Sequence, residues 1–371
     1  YPYNLQGILY FPKISGRADW ESGEIKLFCN QVFVSDSIKE IVPRYLLPLR
    51  GVIDSPDIPL NVSRSALQSD RRVKSIGNFI AKKLADKLKT LKKDEHQFYA
   101  DIWDSIAPFI KIGAMEDEKF SEQVKDIILY STTKNTSEDN EDKNELVKSG
   151  SKTFTTLDGY KNRLTDENKK ILYSTDEVSQ ATALNMWTSQ GKEVLKLDTV
   201  IDTQFIPWLE EKNKEINFVR VDSELDESIK DDSPEIADKD GNTKSETLKK
   251  IISSALNNEK VTVQIQNLKG DNSPPSLILL PEQMRRINDI TALMEQKLPG
   301  LPEYHNLIVN SNHPLVQGLL KLNSNQIVIE GSSKSEEGQL ANDIAIHVYE
   351  MAKLSIGGLE NKDIAAFQTR N

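Results

Sequence analysis

The chain has 371 residues, 37% of them apolar and 28% charged, with 47 Lys and Arg against 57 Asp and Glu for a net charge of −10. At roughly 100 to 200 residues per domain this length predicts two or three domains, and a chain of this size buries enough surface to need no disulfide or metal staple. The single cysteine, Cys29, excludes an intrachain disulfide and a multi-cysteine zinc site, and His96, His305, His313 and His347 never fall at ligand spacings, so no metal is expected. No apolar stretch approaches the roughly 20 residues that span a bilayer, and no signal-peptide pattern is present. A reducing, cytoplasmic setting without membrane contact is expected. Tyr1 is followed at once by strand-like sequence, so the chain reads as a fragment cut inside a larger protein.

Most of the net charge lies in two stretches poor in apolar residues. Asp222 to Asp240 carries a net −7 and Lys134 to Lys148 a net −2. Both read as solvated linkers, because so few apolar groups cannot offset the entropy of ordering. They divide the chain into a first block over 1–130, a polar linker over 131–151, a second block over 152–222, an acidic linker over 223–244 and a third block over 245–371. The opposite bias lies between Arg64 and Lys93, which carries a net +8.

In chain order, Leu5 to Phe11 and Glu24 to Val34 suit strands. A proline-punctuated loop follows and leads into a basic helix whose Val73, Ile76, Ile80, Leu84, Leu88 and Leu91 form one apolar stripe. Its lysines have three readings: a solvated face, a contact with a phosphate-bearing ligand, or nucleic acid. The last is the poorest, since no aromatics are interleaved with the lysines. Gln97 to Ile110 and Ser121 to Tyr130 suit helices, with Pro108 expected to end the first.

The second block alternates strand and helix. Ile171 to Ser174, Val194 to Leu197 and Phe218 to Val221 suit strands, separated by helices at Asp176 to Gln190 and Gln204 to Lys212. This βαβαβ order implies a parallel sheet. The turn after its first strand is Ser174-Thr175-Asp176, not the glycine-rich turn of a dinucleotide site. The third block opens with short strands at Val261 to Ile265 and Leu277 to Leu280, followed by helices at Gln283 to Gln296, Pro314 to Lys321, Glu336 to Leu354 and Glu360 to Gln368. In the third of these helices Leu340, Ile344, Val348 and Met351 form a stripe, and Ile346 and Tyr349 add apolar surface elsewhere. That excess fits either an oligomer contact or intradomain core.

The segment richest in chemistry is Gly51 to Gln68, GVIDSPDIPLNVSRSALQ. Asp54 and Asp57, beside Ser55, Pro56 and Pro59, read as turn caps and not as an acid/base pair. Asn61 or Ser63 can cap the following helix, which places Arg64 at a helix N-terminus where a cation is locally unfavourable. Either a local carboxylate compensates it, or an anion such as phosphate binds there, held by free N–H groups and the guanidinium.

This segment resembles the signature loop of the middle domain of the heat-shock protein 90 chaperones, which runs approximately GVVDSxDLPLNxSRExLQ. Similar stretches recur over most of the chain: LQGILYFPK at Leu5 to Lys13, IKLFCNQVFVSD at Ile25 to Asp36, IVPRYLLPLRG at Ile41 to Gly51, TTLDGYKNRL and KKILYST in the second block, and IVNSNHPLV at Ile308 to Val316. The bacterial branch of the family is the nearest likeness.

The resemblance implies an α/β middle domain with a larger and a smaller part, then a mixed α+β C-terminal dimerisation domain with a helical bundle. It implies an ATP-driven, stress-responsive homodimer that binds partly folded client polypeptides. ATP and Mg2+ would be held by an N-terminal domain that this chain lacks, so the chain alone is expected to hold no cofactor and to be inactive. By motif position Arg64 matches the arginine that reaches the γ-phosphate, Gln68 a nearby polar residue of the same helix, and Tyr10 an aromatic that packs near the catalytic assembly. A cation aimed at developing charge lowers a phosphoryl-transfer barrier.

Ser65 replaces the family's glutamate, which removes a carboxylate that orients the guanidinium. The chain ends in FQTRN and lacks the acidic pentapeptide that recruits helical-repeat co-chaperones. Client contact is expected at Met284, Ile287, Ile290 and Met294, where the family carries an exposed amphipathic helix, although the same spacing fits an ordinary core stripe. A second candidate patch comprises Phe205, Ile206 and Trp208. Leu340, Ile344, Val348 and Met351 are the candidate dimerisation residues. The competing reading is the transducer portion of a related ATPase that clamps nucleic acid through the Arg64 to Lys93 helix.

Overall fold

The computed structural model describes residues 4–12, 24–36, 42–57, 71–135, 146–164, 170–223, 243–268, 273–280, 304–326, 336–356, 358–359 and 361–370. The chain is mixed α/β and forms two compact units, Tyr1–Lys169 with Gln204–Asn213 and Lys170–Thr203 with Lys214–Asn371.

The first unit opens with a four-stranded sheet of β1 (Gln6–Tyr10), β2 (Ile25–Cys29), β3 (Val32–Ser35) and β4 (Arg50–Asp54), in the order β1-β4-β2-β3. The expected strand over Glu24 to Val34 is a hairpin. Asn30 and Gln31 turn the chain at φ of 48° and 66°, the left-handed geometry that two-residue hairpins require. β4 runs antiparallel to β1 and parallel to β2. Ile25, Leu27, Cys29 and Ile53 bury the inner face. At Gly51, φ is 143° and a Cβ would meet the carbonyl oxygen of Ile8 at 1.9 Å, so glycine is required where β4 crosses β1.

Three helices follow: α1 (Arg71–Asp94), α2 (His96–Glu116) and α3 (Glu118–Val124). Of the expected stripe on α1, Ile76, Ile80 and Leu88 are buried, and Ala81 and Ala85 complete the buried face. Leu84 and Leu91 are half-buried. Pro108 lies inside α2 instead of ending it. The missing N–H is outweighed by burial on several sides, where Tyr99, Trp103, Ile106, Phe109 and Ile110 are enclosed. Gly113 admits the crossing of two rings, since a Cβ there would lie 2.7 Å from both Tyr45 and Phe120.

The expected helix over Ser121 to Tyr130 stops at Val124. After a 3-10 turn at Lys125–Ile127, the chain becomes strand β5 (Tyr130–Thr132). β5 and β6 (Leu146–Ser149) both pair antiparallel with β7 (Lys152–Thr155), and α4 (Leu157–Arg163) follows with Thr156 as its cap. The β6–β7 hairpin is tied to α2. Gln97 donates to the Lys148 carbonyl at 2.7 Å, Ser149 to Asp101 at 2.7 Å, and Lys152 pairs with Asp104 at 2.8 Å.

In the second unit β8 (Lys170–Ser174), α5 (Ala181–Ser189), β9 (Leu195–Lys196), α6 (Asp202–Lys212, whose residues from Gln204 belong to the first unit) and β10 (Asn217–Arg220) succeed one another. β8 lies between β10 and β9 and is parallel to both, as the alternating pattern predicts. α5 starts later than expected because Asp176 holds a turn, accepting from the Val178 N–H at 2.9 Å and the Ser179 hydroxyl at 2.8 Å.

α7 (Lys244–Leu256) was not among the expected elements. Thr243 and Glu246 close a capping box at its start, beside the acidic stretch. β11 (Val261–Gln266), β12 (Ser276–Leu279) and β13 (His305–Asn310) form a three-stranded sheet with β13 at its centre, parallel to β11 and antiparallel to β12. α8 (Pro314–Gln326), α9 (Glu336–Ser355) and α10 (Asn361–Arg370) complete the unit.

The sheet is buried on both faces. Val261, Val263, Ile278, Leu307 and Val309 pack with Leu248, Ile252, Val316, Leu319 and the α9 residues Ala341, Ala345, Val348 and Ala352. Leu277 and Ile308 point the other way, into a core with Trp187, Leu184 and Val221. The alternation of neighbouring positions between two cores follows from the two-residue period of a strand.

Candidate functional site

The described residues on either side of positions 58–70 of the signature segment are anchored. At one end Ser55, immediately after β4, is buried and donates its N–H to the Phe28 carbonyl at 3.1 Å. Asp54 accepts the N–H of Gln31 at 2.9 Å, and Asp57 that of Asn4 at 3.1 Å. The Asp57 N–H in turn donates to the Ser55 hydroxyl at 3.2 Å. Both carboxylates are thus backbone caps, as the loop composition predicts, and tie the exit of β4 to the start of β1 and to the β2–β3 turn. At the other end α1 is held by its buried stripe. Arg64 and Gln68 fall between these anchors, at positions outside the described residues.

Tyr10 is at the end of β1 and 53% exposed, at the mouth of an apolar groove of about 790 Å3. The groove runs along β1 and is walled by α1 and α2. Leu9, Leu84, Leu88 and Ile102 line it, and Lys83 and Lys87 stand one turn apart at its side. The Lys83 ammonium lies 5.4 Å from the Phe79 ring centroid. This groove was not foreseen. The α1 periodicity signalled an apolar face but not that, among the described residues, part of it borders a groove.

Further along α1, Lys92 donates to the Asp126 carbonyl. Burial holds its ammonium below the usual lysine range, partly offset by Asp126 and Asp158. Part of the basic character of this helix therefore serves packing within the first unit. His96 at the start of α2 is held below the ordinary imidazole value, first by burial and then by the Lys92 charge.

The candidate client residues Met284, Ile287, Ile290 and Met294 lie outside the described residues. Phe205 and Ile206 do not form a surface patch, because Phe205 is fully buried and Ile206 nearly so. The Phe205 ring stacks on Trp208 at 5.2 Å, and the Lys111 ammonium lies 5.6 Å from its centroid. Only Trp208 of this group remains partly exposed.

The α9 stripe also divides. Val348 belongs to the core of the second unit and is fully buried, which removes it as a free contact. Ile344 packs partly buried against that core. Leu340 is 50% exposed, Met351 is half-buried, and Leu354 adds a further exposed apolar side chain. The core-facing positions on α9 are largely alanines, which an inspection of large apolar residues passes over. Beside them the His347 ring stacks on Phe367 of α10 at 5.0 Å.

The turn after β8 offers no phosphate cradle. The Thr175 N–H and the Ser174 hydroxyl are both taken by the side-chain oxygen of Gln180, at 3.0 and 2.9 Å. Among the described residues no cluster of three or more His, Cys, Asp or Glu is placed to hold a metal, and no helix is long and apolar enough to cross a membrane.

Comparison with known proteins gives a match over residues 3–370 to the family described as Hsp90 protein. Chaperone protein HtpG of Porphyromonas gingivalis is 36% identical over 344 residues, covering 86% of this chain and 46% of the relative. Chaperone protein HtpG of Bacteroides thetaiotaomicron is 35% identical with the same coverage, and that of Idiomarina loihiensis 29% identical over 94% of this chain and 54% of the relative. The chain spans about half the length of these curated relatives.

Proposed function

The chain belongs to the Hsp90 protein family, and on that premise we propose that it is the middle and C-terminal portion of an ATP-dependent, homodimeric, cytoplasmic chaperone that engages partly folded polypeptides. The observation that carries this reading is the family match over nearly the whole chain, combined with a signature loop whose flanks are pinned by Ser55, Asp54 and Asp57. The nucleotide and its Mg2+ belong, in this reading, to a part of the protein outside these 371 residues.

Arg64 is the residue this chain supplies to catalysis. Its guanidinium meets charge that develops on the γ-phosphoryl oxygens, where a preplaced cation lowers the barrier without reorganisation. By the family likeness Gln68 is a nearby polar residue of the same segment, and Tyr10, at the end of β1, is the aromatic that packs near the catalytic assembly. With Ser65 in place of the family's glutamate, the arginine has no neighbouring carboxylate in sequence to park on.

Client contact falls to Met284, Ile287, Ile290 and Met294, whose adaptable side chains suit varied partners, and to Trp208. Dimerisation falls to the exposed part of α9 and its neighbour α10, with Leu340 and Met351 as contacts. Nucleic-acid clamping is not favoured, because the stripe of α1 is used for packing and Lys92 is engaged with Asp126.

The test is kinetic. Arg64→Ala in the longer protein should depress ATP hydrolysis by about 10²-fold or more while nucleotide affinity changes little, and the isolated 371-residue chain should not turn over ATP. Unchanged turnover in the variant would remove Arg64 from the mechanism.

A further inference from the structure

We infer that the polar pocket between α1 and α3 is a binding site for a small organic phosphate, held by Lys82 of one helix and Lys119 of the other. The inference does not rest on the proposed function, since its test reads binding alone.

α1 and α3 pack against each other in the first unit and leave a pocket of about 320 Å3 between them. That volume is at the lower end of the range for small-molecule sites and holds roughly ten waters of liquid. A bare phosphate ion fills only part of it. Ala81 and Phe120 give the pocket a buried side, whereas Asn78, Lys82 and Lys119 stand exposed around it and Gln123 is half-buried.

Helical spacing builds the polar lining. Asn78 and Lys82 are four residues apart on α1, and Lys119 and Gln123 are four apart on α3, so each pair shares one face of its helix. Each helix thus offers the pocket one ammonium and one carboxamide. Among the described residues none of these four side chains has a hydrogen-bond or ion-pair partner. Asp117 also lines the pocket, but its carboxylate already accepts three donors. One oxygen takes the Tyr45 phenol at 3.1 Å, and the other the N–H groups of Lys119 and Phe120 at 2.9 and 3.1 Å. Two ammoniums therefore face one saturated carboxylate.

The donors select the ligand. Two ammoniums and two carboxamides carry about ten N–H groups. A phosphate monoester brings three acceptor oxygens and a charge of about −1.5 to −2 at neutral pH, which matches both lysines at once. Lysine acts as a compact point charge that suits a tetrahedral anion, whereas a planar carboxylate is better met by the arginine fork. The volume left beside Phe79 and Phe120 takes an apolar organic body. The net +8 of the Arg64 to Lys93 segment draws an anion towards α1. Once bound, such a ligand bridges the two helices and clamps α1 to α3.

Phenyl phosphate is the probe. Titration calorimetry on the 371-residue chain should show one saturable site. Lys82→Gln with Lys119→Gln should weaken that binding at least about tenfold and leave Tm unchanged, because both side chains are exposed and unpaired. Lys87→Gln with Lys89→Gln lowers the charge of α1 equally at positions that do not line the pocket, and should keep the affinity within about twofold.

The absence of a saturable site overturns the proposal. An equal loss in the two double variants also overturns it, by reducing the binding to the general charge of α1. Three further results defeat the ligand class. Phenol binding as tightly as phenyl phosphate would show that the pocket selects an apolar ring, and phthalate binding as tightly would assign it to carboxylates. Inorganic phosphate binding as tightly would leave no role for an organic body.

Discussion

The phenol of Tyr45 donates to Oδ2 of Asp117 at 3.1 Å, joining the segment that precedes β4 to the cap of α3 across 72 residues. The other carboxylate oxygen accepts the N–H groups of Lys119 and Phe120 at 2.9 and 3.1 Å. One side chain thus caps a helix and holds the strand that delivers the signature loop. Asp117→Ala should lose both functions, costing on the order of 2–3 kcal/mol in urea unfolding, whereas Tyr45→Phe should cost only about 1 kcal/mol. Equal losses would mean that the cap contributes nothing.

Gly51 lets β4 approach β1 closely at a φ of 143°. Gly51→Val places a branched side chain against the Ile8 backbone and forces a strained conformation, for a loss of more than about 2 kcal/mol. Because β4 leads into the signature loop, the same change in the longer protein should lower ATP turnover at temperatures where the chain remains folded. A variant with wild-type unfolding behaviour would show that the strands separate there at no cost.

His96 predicts a pH dependence. Its folded-state pKa is lowered, first by burial and then by Lys92. Above pH of about 6.5 the group is neutral in both states and contributes no pH dependence. As pH falls below that value the unfolded chain takes the proton first, so stability drops until the lower folded pKa is passed. His313, also lowered by burial, acts in the same direction. His96→Gln should reduce the fall in Tm between pH 7 and pH 5, which thermal melts across this range measure; an unaltered slope would place the dependence elsewhere.

The two sides of α9 should respond differently. Val348 is fully buried in the second unit, so Val348→Ala should cost on the order of 1–3 kcal/mol of folding stability. Leu340 and Leu354 are 50% and 53% exposed, so Leu340→Asp with Leu354→Asp should leave Tm nearly unchanged and weaken self-association in light scattering. A dimer unaffected by the double change would move the interface off this helix.

The β1 and β2 strands, the parallel β8-β9-β10 arrangement and the long basic helix were all legible in the residues. Each has a local cause: alternation, helical periodicity or turn chemistry within a few positions. The misjudged elements lack one. Pro108 signals a helix end, yet burial around Tyr99, Trp103 and Phe109 carries α2 through it. β13 was not among the expected elements, and its place at the centre of a sheet rests on pairing along both edges. Phe205 is fully buried while Trp208, three residues on in the same helix, stays partly exposed.

From the sequence alone came the family resemblance, the segregation of negative charge into two stretches, and the candidacy of Arg64, because each is a property of residue order. The tertiary structure decided which apolar faces are closed. Val348 is core while Leu340 is surface, and Ile76, Ile80 and Leu88 of the α1 stripe are buried while Leu84 is half-buried beside a groove. Periodicity places side chains on a common face of a helix, but burial depends on what other elements bring against that face.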